Sequence, residues 1–529
     1  MTLPNGAEPD ARDGLIRGLG QIGSATLLSR LLGFVRDVVV ARAFGAGPVT
    51  DAFFVAFRIP NLFRRLLAEG ALSTAFVPVF SEYLATRSSG EFKRMLRSVA
   101  GAFLLLLGVT SLLGTLGAPW VVRLVAPGFF DSPERAELAV SLTRLMFPYL
   151  FFVGAAALAM GVLHVHRRFF ASALGPVALN LSMIAATLFI APRLQVPIVG
   201  LALGVLAGGL GQFLIQVPSL SGRGALLLPS TEFSHPALRR IATLLGPSVF
   251  GLAAVQLNVL INTLLASLLP EGSVSYLYYA DRVVEFPLGV FGIAVATAAL
   301  PAMSEQAARK EELALKKTLH FALRLSCFAA VPASVGLLLL RVPIIRVLFE
   351  RGRFESTDTT ATAWALGFYA LGLTAFSGVR IVTQTFYALG DVKTPVRAGL
   401  LTLGLNVGFA LIFMGPLAHG GLALASSCSS TVNFIVLLWL LRKRLGLLGG
   451  RRLLSSLGRT GAASALLAAW CLALLWVWPE SPSRITEAAW LGLAVSGGIA
   501  LFVAAGAITG AEEGRALLSM FTRGRRTLR

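Results

Sequence analysis

Two stretches of this sequence place charged side chains where the surrounding residues belong to a lipid-embedded helix. SRLLGFVRDVVVARAFG, residues 29–45, carries Arg30, Arg36, Asp37 and Arg42, and TDAFFVAFRIPNLFRRLLAEG, residues 50–70, carries Asp51, Arg58, Asn61, Arg64, Arg65 and Glu69. A charge at the centre of a bilayer costs about 2.5–3.5 kcal/mol on insertion scales, so such groups face water, a partner or a ligand rather than acyl chains. Guanidinium groups stay ionised and offer a planar fork of donors that matches phosphate oxygens. Several converging arginines are therefore a natural seat for a phosphate or diphosphate, with carboxylates to hold or release them. Helical spacing sorts the candidates: Arg30 and Asp37 stand nearly one above the other, with Arg36 about 120° away. Arg58, Asn61, Arg65 and Glu69 follow one narrow stripe, Arg64 flanks it, and Pro60 interrupts the backbone ladder beside it. A third stretch, YYADRVVEFP at 278–287, puts Tyr278, Asp281, Arg282 and Glu285 on one face. Spacing and depth single out Arg30, Arg36, Arg64, Arg65 and Arg282 as the binding set. Arg42, Arg58, Arg123, Arg144 and Arg341 read instead as interfacial arginines that snorkel.

Such a site needs helices to carry it, and the rest of the chain supplies them. Its 529 residues are 56% hydrophobic and only 14% charged, with mean hydropathy +0.76. That balance excludes a soluble multidomain enzyme and fits an all-α polytopic membrane protein. Apolar runs long enough for a hydrocarbon core of about 30 Å give about fourteen transmembrane helices, the first centred near Val35 and the last near Ala500. Lys and Arg gather in alternate loops: Arg94, Arg97, Arg167, Arg168, Arg239, Arg240, Lys316, Lys317, Arg442, Lys443 and Arg444 fall on one side, against Arg135, Arg193, Arg351, Arg353 and Arg484 on the other. Positive loops stay in the cytoplasm, so both termini are expected there. The start of the chain sets Glu8, Asp10 and Asp13 against Arg12, unlike the basic start of a signal peptide, and no cleaved targeting segment is expected. The net charge of +20 is spread over short loops rather than gathered on one face, which argues against a nucleic-acid partner. Cys327, Cys428 and Cys471 fall in separate apolar segments without disulfide or metal spacing, and His164 and His166 read as a loop edge. Neither a metal site nor a cofactor is expected.

The chain also repeats. TAFVPVFSE at 74–82 returns as TAALPAMSE at 297–305, an offset of 223; GPVALN at 175 is echoed by TPVRAG at 394, and VGLALG at 199 by GGLALA at 420. Three matches in order at nearly one offset map one set of spans onto the next in the same orientation. Two six-helix lobes related by a pseudo-two-fold axis along the membrane normal follow, with two helices left over. The expected organisation is a cytoplasmic N-terminus at 1–18, an N-lobe at 19–222, a C-lobe at 223–445, two further helices within 446–510 and a basic cytoplasmic tail at 511–529. Arginines of both lobes would meet in a hydrated cavity.

SRLLGFVRDVVVARAFGAG, TDAFFVAFRIPNLFRRLLAEGALSTAFVPVFSEY, YYADRVVEFPLGVFGIAVATAALP and FYALGDVKTPV together resemble the bacterial MviN/MurJ lipid II flippase family. Its superfamily also contains the MATE drug exporters and polysaccharide flippases. The resemblance implies fourteen helices around a central cationic cavity, with the last two forming a hydrophobic groove for a lipid tail. It implies lipid II, an undecaprenyl diphosphate bearing the peptidoglycan disaccharide-pentapeptide, as cargo in the bacterial cytoplasmic (inner) membrane. Membrane lipids are then its surroundings, and cell-wall synthesis proteins its candidate protein partners. The family's cavity arginines fall on Arg30, Arg36, Arg64 and Arg282, and its acidic partners on Asp37, Asp51, Glu69 and Glu285, with Asp281 beside them on the same helix. Asp51 follows the turn-rich GAGPVT and reads from the sequence alone as a helix-start residue. One departure concerns sodium: some relatives use an acidic residue on the seventh helix, where this chain has QLNVLINTLL with Asn258 and Asn262 and no carboxylate.

The expected mechanism is alternating access, in which no bond is broken and the protein is a transporter, not an enzyme. Neither a Walker loop nor an ATP-binding domain is visible, so work would come from the membrane potential, worth about 2.3 kcal/mol per charge per 100 mV, or from a monovalent cation. A competing reading is an ion-coupled, MATE-like exporter of small amphipathic compounds, whose often cationic substrates call for an acidic cavity. Another is a membrane scaffold for cell-wall enzymes, or a channel; a scaffold would tolerate neutralising the buried arginines.

Overall fold

The structure, a computed structural model, describes residues 9–65, 75–221, 229–447, 450–479 and 483–508; Glu69 and the basic tail lie outside them. The described chain is a succession of helices with no strand among the described residues. A bilayer demands this, since a backbone surrounded by lipid must satisfy its N–H and C=O groups within its own segment. Among the described residues ten helices are long and apolar enough to cross a membrane, from Ser89–Leu116 to Arg484–Ile508. The spans expected near Val35, Ala71, Leu257 and Val290 are also helical where described, but stand outside that count. They are Pro9–Phe44, Pro48–Arg64 with Val77–Thr86, Pro236–Ser267, and Ser273–Pro287 with Ala294–Ala308. The first, second and fourth carry the charged stretches singled out above, and those charges lower their hydropathy.

Local signals set the helix ends. The Ser88 hydroxyl accepts from the Glu91 N–H at 3.2 Å and opens Ser89–Leu116. Glu355 and Asp358 close a reciprocal capping box at the start of Ser356–Ala388. After Pro287 the helix bearing Arg282 widens into a π turn, Leu288–Ile293, before continuing as Ala294–Ala308. Proline withdraws a donor from the ladder there, and the wider turn accommodates the loss.

Packing divides the chain into two compact units, Met1–Ser275 and Tyr276–Arg529. In the first, buried Phe76 stacks on Phe80 at 5.7 Å and meets Phe103 edge-on at 5.1 Å, within a core that includes Met95, Leu96 and Leu158. This unit contains Pro236–Ser267, whose neighbours are Val77–Thr86, Ser89–Leu116, Ala118–Val125 and Pro127–Asp131. In the second unit Met303, Leu319, Ile381, Phe386 and Leu441 form one core. A second core, built on Phe328, Leu467, Cys471 and Phe502, packs the last two helices, Gly450–Trp476 and Arg484–Ile508. Buried Glu487 accepts from Arg346 Nη1 at 3.2 Å and pins the start of the final helix to Arg341–Phe349.

Candidate functional site

Arg36 lies on the first helix, Pro9–Phe44, with 7% of its surface exposed. Its Nε and Nη2 donate to Asp37 Oδ1 at 3.0 and 2.7 Å, and Nη1 donates to Asn180 Oδ1 at 3.0 Å. Asn180, on Gly175–Ala185, donates in turn from Nδ2 to the Ser29 carbonyl at 3.1 Å. One buried amide thus ties two turns of the first helix to its neighbour. Adjacent helix residues ordinarily do not face each other, and Arg36 reaches Asp37 only by curling its long stem sideways. Helical spacing, which sets Asp37 in the row of Arg30, misses this contact. An isolated buried cation would be costly, whereas a paired and amide-bonded one is held in a single orientation. Arg30, by contrast, is exposed and has no polar partner among the described residues.

On Pro48–Arg64 the charged residues separate. Arg64 Nε donates to Asn61 Oδ1 at 2.8 Å, and Arg65 is half-buried just past the helix end. Arg58, read from the sequence as snorkelling, instead donates Nη1 to the buried Thr263 hydroxyl on Pro236–Ser267. Asp51 is buried and accepts three hydrogen bonds: from Gly272 N–H at 2.7 Å, from Ser275 N–H at 2.8 Å and from Ser275 Oγ at 2.6 Å. It stands in the first turn of its own helix, and its carboxylate caps the first turn of another, Ser273–Pro287. Orphan N–H groups and the helix dipole favour an anion at such a place. Among the described residues its hydrogen bonds go to that turn and not to an arginine.

In the second unit Arg282 gathers the neighbours that spacing assigned to its face. Nη1 donates to Glu285 Oε2 at 2.6 Å and Nη2 to the Tyr278 hydroxyl at 3.1 Å, with the guanidinium 4.9 Å from the Tyr278 ring centroid. Asp281 and Glu285 are exposed on the same helix. Arg380, on Ser356–Ala388, lies within the electrostatic reach of Glu285. Sequence reading missed Arg380, although a single arginine inside the apolar FSGVRIVTQT is itself a signal of an intramembrane role. It missed Asn180 for the opposite reason, because a neutral amide inside GPVALN carries no charge pattern.

Among the described residues no three His, Cys, Asp or Glu side chains converge in a way that could hold a metal ion. On Pro236–Ser267, Asn262 Nδ2 donates to Asn258 Oδ1 at 2.9 Å, so two carboxamides bond each other in the QLNVLINTLL segment. The chemistry on offer is recognition of an anion with several oxygens. Of the expected set, the first unit supplies exposed Arg30, half-buried Arg65, Arg64 bonded to a neutral amide, and Arg36 already matched to a carboxylate.

A family profile described as "Lipid II flippase MurJ" matches residues 40–484. A "Probable lipid II flippase MurJ" of Vibrio cholerae is 40% identical over 423 residues, covering 79% of this chain and 81% of that protein. A "Lipid II flippase MurJ" of Burkholderia cenocepacia is 38% identical over 434 residues, covering 81% and 84%. Among solved structures, a lipid II flippase MurJ in an inward closed conformation matches with TM-score 0.79 at 26% identity, covering 92% of this chain and 98% of that one. An inward-facing multidrug resistance MATE family transporter of the MOP superfamily matches with TM-score 0.66 at 16% identity, covering 81% and 98%, a likeness of fold alone.

Proposed function

The chain belongs to the MurJ family of lipid II flippases, and from that premise we propose how its charged residues serve the transport. The protein is a multi-span transporter of the bacterial inner membrane, not an enzyme, and lipid II is its cargo. We propose that Arg30, Arg36, Arg64, Arg65 and Arg282 receive the diphosphate by alternating access, the cargo passing from the cytoplasmic to the outer leaflet. Asp37, Glu69, Asp281 and Glu285 hold those arginines between cargoes, and Asp51 holds a helix start. The single observation that carries this reading is the buried Arg36–Asp37–Asn180 cluster. Its guanidinium is oriented and charge-matched before any ligand arrives, and a phosphate oxygen that displaces Asp37 inherits a preformed fork of donors.

Arg30, being exposed and without a polar partner among the described residues, meets the headgroup first. The polyprenyl chain stays in lipid or along Gly450–Trp476 and Arg484–Ile508. The cytoplasmic placement of both termini and coupling to the membrane potential or a monovalent cation belong to the same proposal. So does docking of cell-wall synthesis proteins on the cytoplasmic loops.

The test compares lipid II with undecaprenyl phosphate and a neutral lipid on the purified protein, together with translocation in liposomes. Arg36→Ala is expected to weaken lipid II binding by about tenfold or more, the worth of a charged hydrogen bond of about 1.5–3 kcal/mol, while Arg36→Lys keeps part of it. Unchanged binding and translocation in both Arg36→Ala and Arg282→Ala would remove these residues from the site.

A further inference from the structure

Pro236–Ser267 falls in the half of the chain that the internal repeat groups with the later helices, yet three fastenings hold it to the first unit. The first is a strap. The segment before the helix crosses Ser89–Leu116, with Ser230 N–H donating to the Arg97 carbonyl at 3.0 Å and Ser98 Oγ donating to the Glu232 carbonyl. The Glu232 carboxylate takes Arg94 bidentately, Nε at 2.9 Å and Nη2 at 2.5 Å. The approach is close enough that a Cβ on Gly101 would run into the Ser230 carbonyl. Within the next turns Arg240 Nη1 donates to Glu82 Oε1 at 2.6 Å, and His235, which accepts from Ala237 N–H at 3.2 Å, lies 5.7 Å from the Tyr83 ring. The second fastening is the Arg58 guanidinium on the Thr263 hydroxyl. The third is at the far end, where Gly128 N–H donates to Ser267 Oγ at 3.4 Å and a Cβ on Gly128 would strike the Ser267 carbonyl.

Exposed ion pairs taken singly hold little. A main-chain hydrogen bond, two approaches that only glycine allows and an arginine on a fully buried hydroxyl are of another kind, because backbone in close contact and a buried donor–acceptor pair cannot separate without leaving packed or polar groups unmatched. We propose that Pro236–Ser267 is a moving part of the first unit. Arg58 and Thr263 are positioning residues that keep it there throughout transport, and the protein flexes beyond residue 275, where the first compact unit ends and past the last bond to Asp51. A helix that travelled with the later ones would have to break all three fastenings in every cycle.

The inference rests on the transport reading, and its test separates the two. In protein with Cys327, Cys428 and Cys471 replaced by Ser, Arg94→Cys and Glu232→Cys are joined by a short thiol cross-linker. Linked protein is expected to translocate lipid II at an undiminished rate; active unlinked protein that stops on linking overturns the inference. Inactive unlinked protein counts against the transport reading, and the second measurement then decides the inference. Spin labels at exposed Lys93→Cys and Arg239→Cys are expected to keep one distance distribution with and without lipid II, while labels at Arg239→Cys and Lys317→Cys shift. A shift in the first pair overturns the inference. Thr263→Val is expected to lower translocation several-fold and Thr263→Ser to restore it; equal activity in both variants removes Thr263 from the positioning role.

Discussion

Arg36 and Arg58 are both intramembrane arginines of the first unit, yet one is bound by a neighbouring carboxylate and an amide and the other by a hydroxyl on a distant helix. Asn180→Ala would remove the bonds to Arg36 Nη1 and to the Ser29 carbonyl at once. Losing a buried hydrogen bond to a charged group costs about 1.5–3 kcal/mol, read as a lower unfolding temperature in detergent. Asp51→Asn turns an acceptor-only group into one with an NH2 facing donors, and is expected to destabilise more than Ser275→Ala, which removes one of the three bonds Asp51 accepts. Equal unfolding temperatures for those two variants would contradict the capping role. At this scale the sequence was legible where partners share a helix face, and not for the adjacent pair Arg36 and Asp37. Tyr278, Arg282 and Glu285 share a helix face by spacing alone. It was illegible where partners are far apart: Asn180 is 144 positions from Arg36, and Thr263 is 205 from Arg58. Depth, which decides between snorkelling and bonding, is not written in local spacing.

Helices announce themselves through apolar runs and caps, and the motif FYALGDVKTPV shows how much a short one can hold. Asp391 follows Gly390, which has φ 72°, and its carboxylate accepts from Thr394 N–H at 3.0 Å, from Thr394 Oγ1 at 2.8 Å and from Arg444 Nη1 at 3.0 Å. The Thr394 N–H above all, with its hydroxyl and Arg444, holds the Asp391 carboxyl below the usual aspartate range. The folded protein therefore takes up this proton less readily than the unfolded chain. The turn's contribution to stability is present above about pH 4 and is lost as pH falls further. Thermal unfolding between neutral pH and pH 3 is expected to show a smaller acid loss in Asp391→Asn than in the parent. Repeats are less complete guides than caps. Residues 77–82 of the first copy lie in the helix Val77–Thr86 and the second copy, TAALPAMSE, in Ala294–Ala308, but a repeat reports relatedness and not contact, so the packing of Pro236–Ser267 on the first unit could not be read from it.

For the molecule as a whole, the class of fold and the cargo were legible because composition, charge placement and long motifs agree, while the assembly of side chains into clusters needed coordinates. Carrying a diphosphate outward moves negative charge down the membrane potential, about 2.3 kcal/mol per charge for each 100 mV. Imposing an inside-negative potential on liposomes holding right-side-out protein is expected to speed translocation, and an unaltered rate would leave the coupling to an ion. The Arg36–Asp37 pair has a consequence for life in a crowded cytosol rich in inorganic phosphate, nucleotides and sugar phosphates. A bare cationic pocket would be clogged by these ions, but at Arg36 each must first evict the Asp37 carboxylate and gains nothing from a lipid anchor in return. Excess inorganic phosphate is accordingly expected to leave lipid II binding untouched in the parent and to compete in Asp37→Asn, which makes Asp37 a doorkeeper against counterfeit anions.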